Sequence, residues 1–256
     1  MKENVQYKNE ALASLKGNWA QSVLGILILL LISYALVTPM YAMILKDPTD
    51  LEAITAAQNR FTPLIWILSI FFIDPLQLGY VISFKVMSQS GDGRVVGNMF
   101  RIGLSNYWRH VWAVLLRGIY TVLWSLLLIV PGIIKALSYA MTYYVLEDYP
   151  ELSVNKSIEL SMAMMKGRKY DLFYLYLSLI GWFLLSLLTL GIGLLWFYPY
   201  AQACQHAFYQ DVKHDYLMRR NAEKAASEYA PAAPASTTPA PEAPKASENP
   251  EDYMPK

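Results

Sequence analysis

Long apolar runs separated by short amphipathic stretches set the rhythm of this chain, and that rhythm predicts membrane-crossing helices. Residues 20–41 carry no charge. At ~1.5 Å per residue, such a run crosses a hydrocarbon core of ~30 Å. Lys2, Lys8 and Lys16 precede it, as in a secretory signal. The run is too long for a cleaved apolar core, however, and no small-x-small cleavage site follows, so it reads as a retained anchor. Later apolar blocks cover residues 61–86, 111–146 and 172–209. The last two are too long for one span and are interrupted near their middles by Val130-Pro131-Gly132 and Leu190-Gly191-Ile192-Gly193. Proline and paired glycines favour reversal there, so both blocks read as helical hairpins. In lipid the backbone must satisfy its own polar groups, which leaves helices as the spanning element. The prediction is an all-α polytopic membrane protein with about six transmembrane helices as three hairpin repeats, each preceded by an amphipathic cytoplasmic helix.

The two later hairpins align at a shift of 61 residues. Trp124-Ser125-Leu126-Leu127, Pro131-Gly132-Ile133-Ile134 and Ser138-Tyr139-Ala140 match Leu185-Ser186-Leu187-Leu188, Ile192-Gly193-Leu194-Leu195 and Pro199-Tyr200-Ala201. A weaker counterpart, Gly79-Tyr80-Val81, follows Asp74-Pro75 in the first block. The amphipathic segments are residues 5–19, 95–108 and 153–170, each ending in an aromatic. In the third, Val154, Ile158, Met162 and Met165 share one face, which suits either an interfacial helix or a helix packed on the bundle. The membrane domain is residues 1–220, with repeats at about 5–90, 95–150 and 151–215. Residues 221–256, rich in Ala and Pro, are expected to form a disordered cytoplasmic tail.

Asp74 has two readings. Hydropathy alone puts it mid-membrane in a span from Phe61, where an ionisable group is a functional suspect. Repeat alignment instead makes Asp74-Pro75 the hairpin turn, with Asp74 as the cap and Pro75 the first helical residue. Residues 61–73 then become an extra apolar segment in the outer leaflet. The alignment favours the cap.

Basic residues set the orientation. They concentrate in the N-terminal segment, in residues 85–109 and 148–170, and in the tail, while Lys46 and Arg60 alone occupy the sizeable loop on the other side. That asymmetry predicts a multi-pass cell-membrane protein with both termini cytoplasmic.

Composition narrows the function. Hydrophobic residues are 55% and charged residues 16%, where ~25% charged is usual, which argues against both a soluble enzyme and a disordered chain. A net charge of +1 gives no reason to expect nucleic acid as a partner. Cys204 is the single cysteine, and His110, His206 and His214 lack ligand-spaced partners, so no metal is expected. There is no phosphate-binding loop and no nucleophile elbow; Gly91-Asp92-Gly93-Arg94 reads as a connector. The expectation is a protein that is not an enzyme and uses no cofactor.

Polar residues are unevenly placed. The leading helix of each hairpin is nearly pure Leu, Ile and Val, whereas the second helices carry polar groups. Tyr198, Gln202, Gln205 and Tyr209 share one face of the last. Lys135, Tyr139 and Thr142 mark the fourth, and Gln77 and Tyr80 the second. These residues form a candidate seam where the second helices meet, serving either as interhelical glue or as a ligand path. Lys135 is also placed to reach the outer headgroups. Arg117 and Glu147 fall at matching depth on antiparallel helices, which makes them a candidate ion pair; Arg117 reaching the headgroups is the other reading.

The segments ALASLKGNW, LWSLLLIVPGIIKALSYAM, SVNKSIELSMAMMKGRKYDLF and YLSLIGWFLLSLLTLGIGLLWFYPY together resemble the bacterial integral membrane family called domain of unknown function 975. The resemblance covers roughly residues 8–215. The layout is also distantly similar to the membrane domain attached to some glycerophosphodiester phosphodiesterases, without their catalytic half. What the resemblance implies is a cell-membrane protein with no family catalytic residues to carry over. The function expected from these features is a membrane scaffold or accessory protein that contacts lipid, with a protein partner reached through its cytoplasmic helices or tail. The alternative is a small permease or exporter using the polar seam.

Overall fold

The computed structural model describes residues 2–46 and 48–229. Among these the regular structure is entirely helical: α1 (Asn4–Leu15), α2 (Trp19–Ile44), α3 (Leu51–Leu68), α4 (Asp74–Ser90), α5 (Val95–Leu104), α6 (Tyr107–Leu127), α7 (Ile129–Ser138), α8 (Thr142–Asp148), α9 (Val154–Met164), α10 (Lys169–Leu188) and α11 (Leu194–Tyr229). Five stretches are long and apolar enough to cross a membrane: Trp19–Ile44, Leu51–Ser90, Tyr107–Leu127, Ile129–Asp148 and Lys169–Leu188. The sixth expected span corresponds to the start of α11. That helix continues past Asn221 to Tyr229, so the first part of the expected tail is helical. The rest of the tail lies outside the described residues.

The turn expected at Asp74-Pro75 does not form. A single 40-residue helical run, Leu51–Ser90, passes straight through it. The run absorbs the proline by widening into a π-helical turn at Ser69–Ile73. Pro75 has no N–H to donate one turn back, to the carbonyl of Phe71. The Tyr107 hydroxyl donates to that carbonyl instead. A neighbouring helix thus satisfies the group that proline frees, which is how prolines are tolerated in membrane helices. Asp74 is helical (φ −64°, ψ −39°) rather than an extended cap, and it lies inside a spanning segment.

The later hairpins do reverse, with one shift of position. α6 ends at an extended Leu128 (φ −164°), ahead of Val130-Pro131-Gly132, and the proline occupies the first turn of α7. α10 and α11 are joined through Leu190 and Gly191, both at positive φ (55° and 83°), a conformation glycine adopts without strain. The limbs pack closely at matching places. A Cβ on Gly132 would lie 2.6 Å from Ser125 Oγ, and one on Gly193 would lie 2.8 Å from Ser186 Cα. Both pairs are related by the 61-residue shift.

The short helices turn their apolar faces inward. α1 buries Tyr7, Ala11 and Leu15 against α11; α5 buries Val95, Met99 and Ile102 against α4; α9 buries Val154, Ile158, Leu160 and Met164 next to α8. Each therefore packs on the second helix of a hairpin, and α1 on α11 closes the ring. Of the two readings of the amphipathic stripe in the third segment, packing on the bundle describes α9, whereas α1 and α5 also leave Val5, Leu12 and Leu104 exposed. Helices α2, α6 and α10 leave Leu30, Leu31, Leu126 and Leu188 exposed, as lipid-facing helices do.

The tightest helix contact is α4 on α5. Gly79 lies against the Met99 carbonyl and the Gly103 backbone, and Gly103 against Pro75, leaving no room for a side chain. Because the obstruction is backbone, Gly79→Val is expected to separate the helices at a cost of about 1–3 kcal/mol. A thermal unfolding curve of the detergent-solubilised protein measures it; an unchanged midpoint would refute this contact.

Candidate functional site

α4, α8 and α11, the second limbs of the three hairpins, touch one another pairwise. Between α4 and α11, Gln77 Nε2 donates to the Tyr198 hydroxyl at 2.9 Å, and Tyr80 stacks on Tyr198 with centroids 5.9 Å apart. Tyr144 of α8 stacks on Tyr209 of α11 at 4.7 Å. Between α4 and α8, Lys85 pairs with Asp148.

Alongside these contacts lies a cavity of about 510 Å³, completed by α6 and α10. Its walls include Asp74, Gln77, Arg117, Thr121, Tyr143, Tyr144, Tyr176, Tyr198, Gln202 and Gln205. Several of these are engaged elsewhere. Gln77 holds Tyr198, and Gln205 Nε2 donates to the Ala140 carbonyl at 3.3 Å, tying α11 to the α7–α8 junction. Others are not. The Asp74 carboxylate has neither a hydrogen bond nor an ion pair among the described residues. The Arg117 guanidinium lies over the Tyr143 ring, 4.5 Å from its centroid, and likewise has no carboxylate partner among them. Gln202 Oε1 and the Tyr144 hydroxyl are buried without hydrogen-bond partners. Buried polar groups are normally paired, so two such atoms on one cavity, beside the part-buried and unpaired charges of Asp74 and Arg117, mark it as chemically unfinished.

One helical turn beyond Val81, Tyr144 and Gln205 the three helices are locked together. Asp148, only 6% exposed, receives Lys85, Lys213 Nζ at 2.6 Å and the Tyr209 hydroxyl. A second polar cluster ties α1 and α10 to the far half of α11. Arg168 contacts Asp171 (2.9 Å), Asp211 and Asp215 (3.3 Å), and the Tyr7 hydroxyl donates to Asp211 at 2.7 Å. Burial alone would raise the Asp211 carboxyl, but the hydrogen bonds from Arg168 and Tyr7 outweigh it and hold the group below the usual carboxylate range.

The structure brings four of the sequence-selected seam residues into the cavity wall: Gln77, Tyr198, Gln202 and Gln205. It places the others outside. Tyr80 is fully buried and donates to the Ser22 carbonyl at 2.9 Å. Tyr139 packs against Tyr120, and Thr142 is buried away from the cavity. Lys135 lies over the Trp124 ring at 4.5 Å. The cause is local: α7 stops at Ser138 and α8 starts at Thr142, so the helical period drawn through 135, 139 and 142 is broken. The expected Arg117–Glu147 pair does not form, because Arg117 turns to Tyr143 and the cavity. Tyr143, Tyr144 and Tyr176 were missed. The first two follow the α7–α8 break, and Tyr176 comes from a leading helix whose apolar sequence gave it no prominence. No group of three or more metal-ligating side chains occurs among the described residues.

Five spanning stretches and an all-helical architecture define a polytopic α-helical membrane protein. Residues 126–215 match the family described as Protein of unknown function (DUF975), the family the sequence resembles. The match takes in α7 to α10 and the part of α11 that lines the cavity, and leaves Asp74, Gln77 and Arg117 outside it. No curated protein and no solved structure matches the chain.

Proposed function

We propose that this is a non-enzymatic membrane protein of permease type, which takes a polar ligand into the cavity between α4, α8 and α11. The observation that carries the reading is one cavity lined by two charges that find no counterion, Asp74 and Arg117 within spanning segments, and by two buried polar atoms without hydrogen-bond partners, the Tyr144 hydroxyl and Gln202 Oε1. Polar and ionisable groups are costly in a bilayer and are retained where they serve a pathway or a site. The second reading, a scaffold or accessory protein that contacts lipid, is supported by the exposed Val5 and Leu12 of α1 and Phe100 and Leu104 of α5, although α9 buries its apolar stripe. The reading includes cell-membrane placement with cytoplasmic termini, supported by the distribution of Lys and Arg.

Two glutamines test it. Gln205→Ala removes the tie to Ala140 and is expected to cost about 0.6–2 kcal/mol of stability, as interhelical hydrogen bonds do. Gln202→Leu removes an oxygen without a partner together with the side-chain hydrogen bond to Tyr198 one turn back on the same helix, so it is expected to lower the melting temperature less than Gln205→Ala does, while abolishing retention of a co-purifying small molecule or lipid in native mass spectrometry. Equal retention by Gln202→Leu and the parent contradicts the cavity as the binding site.

A further inference from the structure

We infer that the cavity ligand is a zwitterion, carrying a primary ammonium group and a carboxylate or phosphate. The inference rests on the cavity being the binding site and adds the class of ligand. The unpartnered groups fall into two complementary sets. Asp74 and the Gln202 Oε1 offer acceptors, and the Tyr144 hydroxyl can accept as well. A primary ammonium has three N–H donors and no acceptor, which suits such a set. The tyrosine walls add ring faces that attract a cation. Arg117 supplies the opposite set: a planar fork of donors without a carboxylate partner, positioned by the Tyr143 face beneath it. That fork matches a carboxylate or phosphate in two-point geometry. Asp74 and Arg117 line one cavity without pairing with each other. A ligand with one charge leaves one of the two without a counterion inside the membrane; a zwitterion neutralises both.

The same chemistry can arrive as a free solute or as a lipid headgroup. Gln77 and Tyr198, hydrogen-bonded to each other, also border a second, mostly apolar hollow of about 450 Å³ between α2, α10 and α11. A headgroup in the polar cavity would have room for a chain there.

The test is calorimetric titration of the purified full chain with phosphoethanolamine and β-alanine, beside the single-charge probes ethanolamine, inorganic phosphate and propionate. Native mass spectrometry from nanodiscs containing phosphatidylethanolamine and phosphatidylglycerol runs in parallel. At least one zwitterion is expected to bind tenfold or more tightly than each single-charge probe. Asp74→Asn and Arg117→Gln, with unchanged elution volume and helicity, are each expected to remove that advantage. Binding of a free zwitterion identifies a solute. Selective retention of phosphatidylethanolamine that Asp74→Asn abolishes identifies a headgroup, and either result supports the inference. A single-charge probe that binds as tightly as the zwitterions and is lost in Gln202→Leu overturns the zwitterion while leaving the cavity as the site. Zwitterion binding unaffected by both charge variants also overturns it. Absence of any binding, with no selective lipid retention, overturns both readings.

Discussion

Asp148→Ala is expected to destabilise the protein by about 3–5 kcal/mol, the usual cost of removing one partner from a buried ion pair. Asp148 joins Lys85 of α4 to Tyr209 and Lys213 of α11, and its loss leaves Lys85, 11% exposed, without its counterion. Most of the cost is that stranded ammonium rather than the lost attraction. The double variant Asp148→Leu with Lys85→Met is therefore expected to recover part of the loss. Lys213 is more exposed and can turn to solvent. Thermal unfolding in detergent measures both variants. Asp148→Ala melting like the parent would show that this junction does not hold the three helices together.

The second large effect is at Arg168. Its guanidinium is 7% exposed and meets three carboxylates from α10 and α11, one of which also receives the Tyr7 hydroxyl of α1. Arg168→Met keeps the bulk and leaves the acidic groups to repel one another. The expected cost is again about 3–5 kcal/mol, with α1 released from α11 and newly open to protease. The same cluster sets an acid limit. Asp211 is held below its ordinary pKa in the folded protein, so its contribution is present above the unfolded value of about 4 and is lost as pH falls through the lower folded value. Early cleavage of the N-terminal segment is expected in the parent only at strongly acidic pH, and in Arg168→Met at neutral pH. Equal protease resistance of the two proteins at neutral pH would contradict the cluster's role.

Much of the architecture was legible because the bilayer imposes a strict period and length. The charge-free run that became α2 and the glycine reversal before α11 follow from local chemistry. The first hairpin departs from the repeat pattern at Asp74-Pro75, since a proline signals a break only where its freed carbonyl has no other donor. Tyr107, more than thirty residues away, supplies that donor, and nothing in the local sequence announces it. Within the site, Gln77, Tyr198, Gln202 and Gln205 were visible as polar residues on otherwise apolar helices. Lys135, Tyr139 and Thr142 looked equivalent, but the α7–α8 break turns them away. Arg117 reads from the sequence as a charge with either Glu147 or the headgroups within reach, and in the structure it lies over Tyr143 instead. Depth matching places Glu147 opposite it but cannot register the pull of the Tyr143 ring.

The most direct test of the central claim is whether a polar cavity exists at Gln202. In a Cys204→Ser background, which removes a fully buried thiol, Gln202→Cys is exposed to a small cationic methanethiosulfonate reagent. Thr142→Cys, at a buried position outside the cavity, serves as comparison. Rapid modification at position 202 with an inert position 142 is the predicted result. A thiol at 202 as unreactive as the one at 142 would contradict the cavity, and with it the ligand-binding reading.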